Sequence, residues 1–179
     1  MWLKSGLRFL EETMQGTFCI EKIISGGQTG ADRGALDGAR EMGCPYGGWL
    51  PYGRRTEDGP LPACYHLRVM QSRSYKDRTE QNVIDSDGTL ICSHGALTGG
   101  SLLTRQFAAR HQRPCIHVDF EQLSPDDAVK RVAAWIMQYR IQIVNVAGPR
   151  ASGDPAIYGL VKSLIIDLLR LPAASYRHG

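Results

Sequence analysis

The stretch Ile23-Ile24-Ser25-Gly26-Gly27-Gln28-Thr29-Gly30-Ala31-Asp32 decides the fold. Its two isoleucines read as the core of a short buried strand from Glu21 to Ser25, and the glycine pair behind them as a turn. After Gly30, the residues Ala31, Ala35, Gly38, Ala39 and Met42 share one face of a helix. Such small side chains let a helix lie close against a sheet. Strand, glycine loop and helix in that order is the opening unit of a parallel α/β sheet.

The same unit recurs outward along the chain. Gly88 to Cys92 reads as a strand ending at Ser93-His94-Gly95, and Gly99-Gly100 opens a helix that runs to about Arg110. A strand from Cys115 to Val118 follows Pro114. Ser124-Pro125-Asp126-Asp127 then supplies a cap, a first-turn proline and first-turn acids for a helix burying Val129, Val132, Ala133 and Ile136. Ile141 to Ala147 is a strongly apolar strand that ends at Gly148-Pro149-Arg150, and Asp154-Pro155 is expected to cap a last helix. Between these units, Cys44 to Pro62 reads as a short strand at best followed by a long loop, and Tyr75 to Ile84 as a polar helix. The expectation is a single Rossmann-like, three-layer α/β/α domain over residues 21–172, with a mainly parallel sheet and glycine-rich loops at its carboxyl edge. Residues 1–20 are expected to form a helical extension with Leu3, Leu7, Leu10 and Met14 on one stripe, which suggests a homodimer or larger homo-oligomer; residues 173–179 are a tail.

Composition narrows the function. With 42% hydrophobic and 22% charged residues over 179 positions, disorder and collagen-like repeats are excluded. No apolar run reaches the roughly 18 to 20 residues that a membrane helix needs, and no cleavable leader is evident, so a cytoplasmic protein is expected. A net charge of +3 is too small for an electrostatic nucleic-acid binder, yet 16 of the 21 basic residues are arginine. Arginine's planar fork suits phosphate and carboxylate, so the skew points to an anionic small molecule. Cys19, Cys44, Cys64, Cys92 and Cys115 form no CxxC pair, which leaves neither a zinc ribbon nor a thioredoxin motif. The P-loop signature is absent, and the first loop is GGxTG rather than GxGxxG, which disfavours NAD.

Loops after three strands would gather at the carboxyl edge, where open parallel sheets bind ligands. Phosphate must approach backbone N–H groups at a helix N-terminus, and a Cβ at that point would block it. Gly26, Gly27, Gln28, Thr29 and Gly30 form the first candidate loop; Gly99, Gly100 and Ser101 the second; Arg150 adds a charged fork from the third. On this reading a side chain at Gly27 would displace the phosphate. Trp49, Tyr52, Arg54 and Arg55 read either as a solvated loop or as an aromatic and cationic lid over a planar ligand. Asp32, Glu57 and Asp58 are the candidate catalytic carboxylates, or ligands of a Mg ion that no spacing supports; Asp32 reads equally as a helix first-turn acid. Tyr75, Arg78, Thr79 and Asn82 form a further polar cluster, read here as a surface or core-anchoring set.

Five strings, IISGGQTGADRGALDGA, GGWLPYGRRTEDGPLP, YKDRTEQNVIDSDGTLI, LTGGSLLT and NVAGPRASGDPAIY, together resemble the molybdenum carrier family, a circularly permuted YpsA-like group of the SLOG superfamily. The match spans about residues 22–165. The resemblance implies a Rossmann-like fold related to lysine-decarboxylase-like proteins, some of which bind molybdenum cofactor, a pterin with a phosphate tail. Others are phosphoribohydrolases that cleave the N-glycosidic bond of a nucleoside 5′-monophosphate. It implies ligand loops at Gly26 to Gly30 with Asp32 and at Gly99 to Ser101, with Arg54, Arg55, Glu57 and Asp58 as the group's own segment. The phosphoribohydrolases carry PGGxGTxxE, whereas here Thr98-Gly99-Gly100-Ser101-Leu102-Leu103-Thr104 has no glutamate after it. Binding of molybdenum cofactor or a nucleotide derivative is therefore the first expectation, and nucleotide hydrolysis the alternative.

Overall fold

Ile23 and Ile24 are both buried, as a β-branched pair in a doubly covered strand should be, and Lys22–Ser25 forms β1. A computed structural model describes residues 19–172. The helical stripe expected over residues 3–14 and the tail lie outside the described residues. Behind β1, Ala31–Glu41 forms α1, followed by short strands β2 (Tyr46–Gly47), β3 (Trp49–Leu50), β4 (Arg55–Thr56), β5 (Gly59–Pro60) and β6 (Arg68–Val69). Then come α2 (Tyr75–Ile84), β7 (Gly88–Ser93), α3 (Gly99–Arg110), β8 (Cys115–Asp119), α4 (Pro125–Tyr139), β9 (Ile143–Ala147) and α5 (Ile157–Arg170).

The central sheet has five parallel strands in the order β2-β1-β9-β7-β8. Lys22 pairs with Ile143 across β1 and β9, and Gly88 with Val144 across β7 and β9. One face is covered by α1, α4 and α5, which share the main core with Leu90, Cys92 and Val146. The other carries α2 and α3, joined through Val83, Phe107 and Ala108. This is the Rossmann-like, three-layer arrangement expected. From β1 the chain turns outward to β2, and from β7 it turns the opposite way to β8, so the topological switch falls around central β9.

Three local readings change. The strand expected from Ile141 starts at Ile143, because Ile141 follows left-handed Arg140 and packs its side chain into the core instead. Asp154 does not cap the last helix: Ala156 is the N-cap residue, and the Asp154 carboxylate is drawn to His94. The 44–62 segment holds four short strands, β2 to β5, where one short strand at best and a long loop were expected, and is anchored where Leu50, Leu61, Tyr65 and Leu67 pack with Leu36 of α1. Ser124 does cap α4, accepting from the Asp127 N–H at 3.2 Å.

Candidate functional site

A cleft of about 710 Å³ opens at the carboxyl ends of β1, β9 and β7, at the switch point. Its walls are the 26–32 segment, the start of α3 with Gly99, Gly100 and Ser101, the loop after β9 with Arg150, and the inward face of α2. At Gly99 and Gly100 a Cβ would meet nothing within 4 Å, so the backbone there is open to an approaching group. No side chain caps α3, and the helix N-terminus favours an anion.

Asp32 sits at the floor of this cleft. Its Oδ2 accepts from Arg78 Nη1 at 3.2 Å and from the Gln28 N–H at 3.3 Å. Both partners of the ion pair are nearly buried, at 12% and 7% side-chain exposure. Burial raises the proton affinity of the Asp32 carboxyl above the usual carboxylate range, and Arg78 offsets part of that rise. A Cβ on Gly26 would collide with the Arg78 guanidinium, so Gly26 keeps this pair in place. Arg78 and Arg150 both lie over the Tyr75 ring, 5.9 and 5.3 Å from its centroid. On the far side, His94 Nδ1 is 2.7 Å from Asp154 Oδ2, which ties the loop after β7 to the loop after β9.

Glu57 joins three segments from outside the cleft. Its Oε1 accepts from the Thr29 hydroxyl and from the Ser152 N–H at 3.2 Å, and its Oε2 accepts from Ser152 Oγ at 2.5 Å. These donors, Ser152 Oγ first, hold the Glu57 carboxyl below its usual range. Thr29 Oγ1 also accepts from the Ala151 N–H, and the Glu57 N–H donates to Gln28 Oε1 at 2.8 Å. Thr29 and Gly30 thus pack the first loop against the third; at Gly30, with φ +76, a Cβ would strike the Pro149 carbonyl.

The structure brings Gly26, Gln28, Asp32, Gly99, Gly100, Ser101 and Arg150 together and sends other candidates elsewhere. Gly27 turns away: with φ +68, its Cβ would point at Leu61, Leu50 and Leu67, at 2.9, 3.0 and 3.2 Å, so the position serves the leucine cluster and not a phosphate. Trp49 faces a separate hollow at the amino end of the sheet, where Nε1 donates to Asp85 Oδ2 at 2.7 Å beneath Arg68. Arg54 is spent on its own loop, donating to the carbonyls of Leu61, Pro62 and Tyr65. Arg55 and Asp58 do not line the cleft either. Asp58 makes a two-point contact with Arg33 at 2.6 and 3.1 Å, which holds its carboxyl down at about 2. The aromatic wall expected from Trp49 and Tyr52 is supplied by Tyr75.

Arg78, Thr79, Asn82 and Tyr75, read from sequence as an anchoring set, line the cleft, and so do His94 and Asp154. Their signal was present in the spacing: positions 75, 78, 79 and 82 share one face of a helix. Among the described residues no group of three or more His, Cys, Asp or Glu side chains could hold a metal ion, and no helix is long and apolar enough to cross a membrane.

A five-stranded parallel sheet between two helical layers, with a cleft at its switch point, defines a Rossmann-like α/β domain. The profile of the circularly permutated YpsA SLOG family matches residues 23–169, and the chain belongs to that family. A crystal structure from Syntrophus aciditrophicus SB, titled "Putative molybdenum carrier protein", is similar at 49% identity with a TM-score of 0.84. The alignment covers 88% of this chain and 99% of that one. Comparison with curated proteins gives no match.

Proposed function

We propose that this chain binds and carries a phosphorylated heteroaromatic molecule, a molybdopterin-type cofactor or a nucleotide derivative, in the cleft at the switch point. The observation that carries the reading is the open backbone at Gly99-Gly100 on the N-terminus of α3, facing a cleft that also holds Arg150 and Lys76, neither of which makes an ion pair among the described residues. The phosphate would rest there. The planar part would lie toward Tyr75 and α2, and a volume of about 710 Å³ suits a ligand of nucleotide or pterin size. The name of the Syntrophus relative supports the molybdenum cofactor over other members of that ligand class.

The test is to purify the protein anaerobically, denature it, and examine the released small molecules by mass spectrometry and pterin fluorescence. A stoichiometric oxidised pterin phosphate is expected. Absence of any released phosphorylated compound, together with no heat of binding for phosphorylated probes, would refute the proposal. Association into a homodimer or larger homo-oligomer belongs to the same proposal and rests on the stripe Leu3, Leu7, Leu10 and Met14; light scattering showing a monomer would remove it.

One observation favours a second reading, hydrolysis of a nucleoside 5′-monophosphate. Asp32 is a cleft carboxyl whose proton affinity is raised, the property a general acid needs. Glu57 and Asp58 are engaged with Ser152 and Arg33 instead. Release of free base from a nucleotide panel, lost in Asp32→Asn, would establish it; no release at high protein concentration would dismiss it.

A further inference from the structure

His94 Nδ1 lies 2.7 Å from Asp154 Oδ2, and both residues line the cleft. An ionised carboxylate only accepts, so Nδ1 carries the proton of the neutral ring and Nε2 is left with a lone pair. The imidazole is open to approach, with 32% of the side chain exposed, whereas its partner Asp154 is 14% exposed. No described residue pairs with Nε2. The ring is tied to both parts of the cleft that attract an anion. Residues 95–97 lead from it straight to Thr98 and Gly99 at the open N-terminus of α3. Asp154 belongs to the turn that follows Arg150, where the Gly153 and Asp154 N–H groups both donate to the Arg150 carbonyl at 3.0 Å.

The charged groups around His94 come from three sides. The loop after β9 contributes Asp154 and Arg150. From the end of β8 come Asp119, which accepts from the Gly95 N–H at 2.7 Å, and Glu121, whose Oε2 would lie 3.3 Å from a Cβ on Gly95. The N–H groups of Glu121 and Gly95 hold the Asp119 carboxyl below its usual range, and the charges of His117 and His94 add to that. His117 itself is 2.7 Å from Ser93 Oγ. The cleft wall formed by α2 brings Lys76, and Arg78 with its partner Asp32. Residues 95–98 and the first turn of α3 carry no charged side chain, and the Phe120 ring, 6.0 Å from the imidazole, is neutral.

A neutral His94 has spent its N–H on Asp154 and turns a lone pair toward any anionic oxygen that approaches Nε2. With a second proton the ring donates at both nitrogens, one to Asp154 and one to the ligand. We infer that His94, held by Asp154, is a proton-coupled contact for the ligand's anionic group: Nε2 takes up a proton from solvent as the anion binds and forms a hydrogen bond to it. This rests on the phosphate-cleft reading above and adds to it a dependence of ligand uptake on pH. Since the bound state holds one proton more than the free one, affinity rises as pH falls.

The test titrates adenosine 5′-monophosphate and ribose 5-phosphate calorimetrically into the full chain at pH 8.0, in two buffers of different ionisation enthalpy, which counts the protons taken up per ligand. A phosphate monoester, with a second pKa of about 6, is already a dianion there and supplies almost none of the count. The wild type is expected to take up about one proton and to bind at least about fivefold tighter at pH 7.0 than at pH 8.0, the limit for one proton being about tenfold per pH unit. His94→Gln keeps an N–H for Asp154, and in it the uptake is expected to vanish and the pH dependence to flatten. Asp154→Asn keeps an acceptor for Nδ1 without the charge that steadies the imidazolium, and is expected to lower the uptake. A pair that only fastened one loop to the other would leave the proton count unchanged by either substitution. Wild-type binding without proton uptake, or uptake that survives in folded His94→Gln, overturns the inference and leaves the phosphate cleft standing. The wild-type count needs no variant, and Asp154→Asn supplies a second reading if His94→Gln does not fold. Failure of both probes to bind is a different result, and removes the cleft reading together with the inference.

Discussion

Replacing Gly27 by valine tests the assignment of that residue to the fold and not to the ligand. Two costs add. Its φ of +68 is a region that a β-branched residue rarely adopts, and the new Cβ would lie 2.9 to 3.2 Å from methyl carbons of Leu61, Leu50 and Leu67. Left-handed strain costs about 1–3 kcal/mol, and forcing extra carbon into packed leucines about as much again, so a loss of about 3–5 kcal/mol is expected. For a chain of this length each kcal/mol moves the melting temperature by about 2–4 °C, which places the fall at about 6–20 °C. The leucines are largely encased, Leu50 at 0% and Leu61 at 2% exposure, so they have little room to yield. Thermal unfolding followed by circular dichroism, with urea titration at 25 °C, reads the loss directly. A variant that melts within about 2 °C of the wild type would refute the placement of Gly27 against the leucine cluster.

Three further outcomes follow from the same geometry. Gly100→Ala should leave the melting temperature unchanged or slightly raised, since a Cβ there meets nothing and alanine favours helix, while weakening phosphate-bearing ligands in calorimetry; unaltered binding would clear the α3 N-terminus of contact. Glu57→Gln removes the charge that Ser152 and Thr29 stabilise, and should lower stability by about 1 kcal/mol because water competes at this exposed site. Since the folded Glu57 carboxyl titrates below its unfolded value, the wild type's advantage is full above the unfolded value and is lost as pH falls through the folded one; a gap that grows on acidification would contradict this. Arg78→Met strands Asp32 without its cation and should cost about 3–5 kcal/mol. Asp32 holds its proton more tightly folded than unfolded, so stability falls as pH rises between those two values, and removing Arg78 should carry that fall to higher pH and deepen it; urea titrations at pH 5 and pH 8 showing equal losses would contradict it.

The strand, loop and helix order was legible because each element carries its own local signal: Ile23-Ile24 before a glycine turn, Ser124-Pro125 before α4, Gly99-Gly100 before α3. The start of β9 was misplaced by two residues because apolar character marks burial, and Ile141 is buried without belonging to the strand. Site residues on the loops were partly legible for the same reason, since a glycine can be recognised as a point of close approach. What it approaches is set by the fold, and for Gly27 that is a leucine cluster supplied by residues more than twenty positions away. Trp49 looked like a ligand wall among its sequence neighbours, yet β3 pairs with β6 and points it to the opposite edge of the sheet. The polar face of α2 had the right spacing, but spacing alone cannot say whether such a face meets water or a cavity.

The placement of β9 at the centre of the sheet also governs how the chain is made. Until Ile143–Ala147 emerges from the ribosome, β1 with β2 and β7 with β8 are two separate parallel pairs, each with an open edge. The bond from Ser25 Oγ to the Val146 carbonyl closes across 121 positions, so this last strand seals both halves at once, and contacts of such long range slow folding. The cleft is built on the ends of all three strands that meet there, and it comes into being only with that closure. A nascent chain shorter than about 150 residues therefore exposes two unpaired edges and lacks the assembled cleft, which makes the closing stages of synthesis the interval in which aggregation competes with folding.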